Sequence, residues 1–160
     1  MDLIQRFISS SELVGSANAV IAAAEVKKFV GKDKAQTRYV KAFRFGLESS
    51  EPDLDEKGID EAVIEADYAI AETGTAVIDS TEENLRLASC LAEKLTVLIE
   101  ASRLKERFED IIDFMDERSE QENAYIAFIT GASRTADIER VLTIGVHGPR
   151  EMQVIIVEDR

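Results

Sequence analysis

The chain is 160 residues long, 45% hydrophobic, and carries a formal net charge of −13. That length suits one cored domain and is short for two, while the acidic balance repels phosphate backbones and anionic membranes, so neither nucleic acid nor membrane is expected as a partner. A single cysteine, Cys90, excludes an internal disulfide or a cysteine-based metal cluster built by this chain alone.

The first thirty residues have helical character. In SELVGSANAVIAAAEVKKFVG, Ala19, Ala23, Val26 and Val30 recur at helical spacing and Gly31 supplies a stop. Ser9 and Glu12 have the spacing of a capping box. The opening MDLIQRFISS lacks a basic-then-apolar leader layout, and no apolar run approaches the roughly 20 residues that span a bilayer. A cytoplasmic location is therefore expected. TRYVKAFRF suits a strand or a helix, and the acidic GLESSEPDLDEKG, with Pro52, reads as an exposed connection. Residues 1–58 thus form an expected helical segment plus connection, and 59–160 an α/β core, the two making one structural domain.

From Ile59 onward the pattern sharpens. IDEAVIEA predicts a short helix, and DYAIAETGTAVIDS a strand, a polar turn and a second strand. Ser80 and Glu83 have capping-box spacing before a helix to about Glu93, with Leu87, Cys90 and Leu91 on one side and Cys90 serving in packing. KLTVLIE predicts a strand. Leu104, Phe108, Ile111, Ile112 and Met115 then repeat as an amphipathic helix. AYIAFIT reads as a buried strand, SRTADIERVL as a helix start and REMQVIIVED as a last strand. Strands separated by helices imply an α/β fold with an open, mostly parallel sheet flanked by helices. Ligands bind such sheets beyond the carboxyl ends of the strands, which directs attention to the turns at 72–75 and 131–135.

The string ITGASRTADIE, 129–139, begins like the dinucleotide cradle of short-chain dehydrogenases. It lacks the further glycines that let a backbone approach a pyrophosphate, offering Thr135 and Asp137 instead, and only 29 residues follow Gly131. Its chemistry still suits an anion: a helix beginning near Ser133 would point N–H groups outward, supplemented by Ser133, Arg134 and Thr135. The same residues also suit a plain helix cap, with Asp137 supporting the first turn. In GVHGPRE, His147 is the only histidine, flanked by Gly148, and Arg150 offers a second cation; proton transfer and a hydrogen-bonded turn both fit. In AETGT, Glu72 is a candidate base or nucleophile, Gly74 permits close approach, and Thr73 and Thr75 bring hydroxyls; a turn needing glycine geometry is the competing explanation. No HExxH, CxxC, G-x-S-x-G or P-loop pattern occurs, so no metal or cofactor is expected on this chain.

Four segments together, ADYAIAETGT, RLASCLAEKLTVLIEASRL, FITGASRTADIE and GVHGPREMQVII, closely resemble the LUD domain of the lactate utilization protein C family over about residues 59–157. The resemblance implies a fold like that of ribose phosphate isomerase, glucosamine phosphate deaminase and CoA transferases, with glycine-rich turns around one cleft. It implies a part in oxidation of L-lactate to pyruvate beside iron-sulfur partner proteins. The motif residues carried over are Glu72, Thr73, Gly74, Thr75, Gly131, Ser133, Arg134, Thr135, Asp137, His147, Gly148 and Arg150; of these, Glu72 and His147 are the candidates for catalysis and the others for ligand binding. The chain departs from the family's pattern where Ala132 replaces a proline, where CLAEKL stands for a proline-histidine segment, and before residue 59, where it is compressed. The expected ligand is a small carboxylate or phosphorylated metabolite. An isomerase or transferase acting on a sugar phosphate or acyl-CoA, and a non-catalytic assembly subunit, are the alternatives; a homodimer is also expected.

Overall fold

A computed structural model describes residues 1–31, 37–48, 58–133 and 148–160. It is an α/β fold built on a six-stranded sheet in the order β1-β10-β7-β4-β2-β3, formed by Ser16–Ile21 (β1), Glu151–Val157 (β10), Ala92–Glu100 (β7), Ile59–Glu65 (β4), Arg38–Ala42 (β2) and Leu47–Glu48 (β3). The first five strands run parallel, and only β3 is antiparallel to its neighbour. A second sheet of four short strands, Leu104–Lys105 (β8), Tyr68–Ile70 (β5), Thr75–Asp79 (β6) and Ile126–Ile129 (β9), lies in that order and is mixed. The large sheet is the expected open, mostly parallel one, and the second sheet is an addition to it. Strands from both sides of residue 58 share the large sheet, so the N-terminal part contributes strands as well as helices.

The central strands explain themselves through burial on both faces. Ala62 and Ile64 of β4, with Leu95, Val97 and Ile99 of β7, face a core that also holds Phe7, Tyr39 and Ala88. Val63, Leu98 and Ile155 face the opposite way, onto Val26 and Val30. A strand apolar on both sides loses the alternation of a half-buried one. That is why Ile59–Glu65 is a strand and not the expected helix: Ile59, Ala62 and Val63 match helical spacing only because nearly every position is buried. Each fully buried Ile or Leu here stabilises the fold by roughly 1.5–3 kcal/mol.

Three helices and part of the second sheet complete the layers. Helix α1, Leu3–Leu13, packs Phe7 with Leu3, Ile4 and Ile8 onto the first core, and α3, Glu83–Leu91, adds Ala88 and Leu85 to the same side. The short α2, Val26–Val30, covers the other face. The second sheet places Ala69, Ala71, Ala76 and Ile78 toward the first core; Ile70 and Val77 face away, under Ile111, Phe114 and Met115 beside helix α4, Ile112–Ser119.

Several local expectations are revised. Residues 16–21 form edge strand β1, although their alanines favour a helix, because Val20 and Ile21 pair with Ile156 and Val157. Asp2, not Ser9, caps α1, accepting from the Gln5 N–H at 3.0 Å; Ser9 lies inside the helix and its hydroxyl donates to the Gln5 carbonyl. Ser80 donates to the Tyr125 carbonyl and does not cap α3, whose buried positions are Ala88 and Ser89; Cys90 is exposed. The periodic segment from Leu104 is helical only from Phe108, as a 3-10 turn over Phe108–Ile111 that leads into the α-helix at Ile112. Leu104 and Lys105 are taken by pairing with β5, and Phe108 and Ile112 are 46% and 43% exposed. The segment expected as a helix from Ser133 lies outside the described residues beyond Ser133 itself. No described helix is long and apolar enough to cross a membrane.

Candidate functional site

The first polar turn closes the β5–β6 hairpin. The Ala71 and Glu72 N–H groups donate to the Lys105 and Glu106 carbonyls at 2.8 and 3.0 Å, which carries the β5–β8 pairing into the turn, and the Gly74 N–H donates to the Ile70 carbonyl at 2.9 Å. Glu72 and Thr73 are thereby left at an exposed tip, while Gly74 and Thr75 are buried. Arg6 of α1 pairs with the Glu106 carboxylate next to this tip.

Gly74 is required twice over. Its φ of +67° is a region that L side chains rarely adopt. A Cβ there would also stand 2.5 Å from the Ser11 nitrogen and 2.7 Å from the Ser10 carbonyl carbon, both backbone atoms of α1. Gly131, which follows β9, repeats the arrangement. Its φ is +75°, and a Cβ would overlap the Val14 carbonyl oxygen and stand 2.9 Å from the Val14 carbonyl carbon. Both motif glycines are thus seated against the last turn of α1 and the residue that caps it.

Two links tie the turns together. The Thr75 hydroxyl lies 2.7 Å from the hydroxyls of both Thr73 and Thr130, making a chain of three hydroxyls from the first turn to the second. The Ser133 N–H donates to the Pro149 carbonyl at 2.8 Å, which joins the second turn to the third. Beyond Pro149, the Arg150 N–H donates to the Glu93 carbonyl at 2.9 Å, and its Nε lies 3.3 Å from the Glu93 carboxylate. That ion pair is more than half exposed on both sides, and such a pair contributes only about 0–1 kcal/mol.

The structure therefore brings Thr73, Gly74, Thr75, Gly131, Ser133, Gly148 and Arg150 into one cluster, with Glu72 at its solvent edge. Arg134, Thr135, Asp137 and His147 lie outside the described residues. Two expectations change. The cluster sits at the amino ends of the parallel strands, next to the starts of β1, β10 and β7, and not at their carboxyl ends; the turns end strands of the second sheet instead. The Ser133 N–H, expected to point at an anion, is already given to Pro149. Sequence reasoning passed over Thr130, Glu93 and the end of α1. Thr130 was visible inside the quoted motif, one residue before Gly131, whereas nothing in the spelling of Ser10–Val14 announces a backbone contact.

The model of the family described as the LUD domain matches residues 57–157, well over half of the chain. The chain belongs to the LUD domain family. Curated relatives share the same stretch. Lactate utilization protein C of Bacillus pumilus is 35% identical over 101 residues, which cover 61% of this chain and 42% of that protein. Lactate utilization protein C of Halalkalibacterium halodurans is 38% identical over 98 residues, 59% of this chain and 43% of that protein. The matched stretch thus spans about two fifths to one half of the length of the curated relatives it matches. The crystal structure of a DUF162 family protein from Deinococcus radiodurans aligns with a TM-score of 0.69 at 19% identity, over 97% of this chain and 96% of that one. At that identity the likeness is one of fold, and it extends beyond the matched LUD domain into residues 1–56.

Proposed function

We propose that this LUD domain takes part in lactate utilization by binding a small carboxylate or phosphorylated metabolite at the three clustered turns. The single observation that carries this reading is the linkage of the turns through Thr75–Thr130 and Ser133–Pro149. Three turns far apart in the chain are joined in this way, and in this reading their hydroxyls and the Arg150 guanidinium serve one ligand. Arg150 is the described motif cation there. Because its pairing with Glu93 is exposed, an incoming carboxylate or phosphate can take over the guanidinium at small cost. Arg134 and His147, from the same motifs, complete the proposed anion and proton-transfer chemistry, with Glu72 as the base at the rim. The relatives' name supports lactate as the pathway, and in this reading the chain works beside iron-sulfur subunits that carry the electrons.

Thermal-shift titration of the purified chain against L-lactate, pyruvate, phosphosugars and acyl-CoA tests the site. A ligand present at ten times its Kd stabilises by roughly 1.4 kcal/mol, or about 3–6 °C for a chain of this size. Absence of any shift with the whole panel at saturating concentrations sinks the proposal.

A further inference from the structure

On the face of the large sheet opposite α1 lies a cavity of about 360 Å³, a slot between α2 and the strands. Phe29 and Val30 of α2 line one side of it, and residues of β4, β7 and β10 line the other. Alternate residues of a strand share a face, and the register sets Glu61 beside Lys94, and Val63 and Gln153 beside Thr96, so these side chains all stand on the cavity side. Val30, Val63 and Ile155 are buried and make the wall apolar, and Phe29, 41% exposed, adds a ring to it. The volume is at the small end of the range for ligand sites, which run from about 300 Å³ upward.

Two polar side chains of this slot have hydrogen-bonding capacity to spare. The Glu61 side chain is only 5% exposed, and a buried carboxylate is costly unless its charge and its oxygens are met. The charge is met from outside the cavity by Arg38, whose Nε donates to Oε2 at 2.7 Å and whose guanidinium is anchored on the Val30 carbonyl. Oε1 receives only the Thr96 hydroxyl at 3.4 Å, a long bond, with the Lys94 ammonium 4.0 Å away. Lys94 has a further interaction of its own, and nothing in the site requires it. The Gln153 side-chain amide forms no hydrogen bond among the described residues, so its N–H donors and its carbonyl acceptor are both open to the same space.

We propose that this slot is a second binding site, distinct from the clustered turns, for a small neutral carboxamide that carries an apolar group. The amide N–H donates to Glu61 Oε1, the amide carbonyl accepts from the Gln153 side-chain N–H, and the apolar group lies on Phe29, Val30 and Ile155. A carboxylate ligand has no N–H to give Oε1 and meets a like charge there. An ammonium ligand finds that charge already balanced by Arg38 and brings no acceptor for Gln153. The reach also fits. Glu61 and Gln153 stand on strands either side of β7 with a two-residue offset, which puts their Cα atoms roughly 12 Å apart. Two hydrogen bonds with one amide between them span roughly 8 Å, and the two side chains supply the rest.

The test is a titration of the ¹⁵N-labelled chain followed by ¹H–¹⁵N NMR, with isovaleramide, its N,N-dimethyl amide, isovalerate and isoamylamine as probes sharing one aliphatic group. Isovaleramide is expected to give saturable shifts at the amides of Val30, Thr96 and Gln153, and the other three probes to bind there about tenfold more weakly or worse. Gln153→Leu, which leaves the Glu61–Arg38 pair in place, is expected to weaken isovaleramide by about tenfold. Phe29→Ser is expected to weaken isovaleramide more than acetamide. A flat titration to about 20 mM isovaleramide, equal binding of any of the other three probes at these amides, shifts confined to Gly131, Ser133 and Gly148, or unchanged affinity in Gln153→Leu each overturn the proposal.

Discussion

The first two turns of the candidate site and the third are built on opposite plans. Gly74 and Gly131 hold left-handed backbone against α1, with no room for a methyl group. Gly148 is exposed, and the nearest atom to a Cβ added there is the Ser133 Cβ at 4.0 Å, an ordinary contact. The backbone of Arg150 beside it donates to Glu93, but its guanidinium is held by one exposed ion pair. The hydroxyl-bearing side of the site is therefore fixed by packing, while the side that carries the described cation is free to adjust. A site of this kind positions a ligand on its rigid half and adapts its charge contacts on the other.

Substitutions can break that contrast, in descending order of effect. Gly131→Ala is expected to destabilise by at least about 3 kcal/mol, since strain at positive φ adds to overlap with the Val14 carbonyl; Gly74→Ala follows closely for the same two reasons. Urea unfolding measures both, and a loss below about 1 kcal/mol in either would show that α1 can yield. Thr75→Val keeps the volume but removes the central hydroxyl of the chain. Thr73 and Thr130 are exposed and regain water, so the expected cost is about 1–2 kcal/mol, read in the same urea experiment.

The third turn should respond differently. Arg150→Met is expected to change stability by less than about 0.5 kcal/mol, yet to weaken the ligand found by thermal shift about tenfold. An equal loss of stability and binding would mean that Arg150 is structural. Gly148→Ala, placed where space is open, is expected to stay within about 0.5 kcal/mol of the parent chain by thermal unfolding. A large effect there would erase the distinction between the halves.

Legibility in the sequence followed burial. The hairpin around Glu72–Thr75, strand β7 and strand β10 were readable because turn formers bound short β-branched runs. Strand β4 was not, because burial on both faces removes the period that distinguishes strand from helix. The heptad-like series from Leu104 misled for the opposite reason. Its spacing is helical, but the backbone of 104–106 is used by Ala69, Ile70, Ala71 and Glu72, a long-range pairing that no local pattern carries. The motif residues of the site were legible as residues. Their position at the amino ends of the large sheet was not, since it depends on the second sheet folding back over the first.

The seating of the two motif glycines on α1 has a consequence for how this family can vary. The four nearest approaches are all to main-chain atoms, which every amino acid possesses: the Val14 carbonyl oxygen, the Ser11 nitrogen and Cα, and the Ser10 carbonyl carbon. A surface made of main chain tolerates almost any spelling of the segment that supplies it, provided the helix ends at the same place. Residues ahead of position 57 can therefore change widely while still serving as the mould into which the geometry of the turns is pressed.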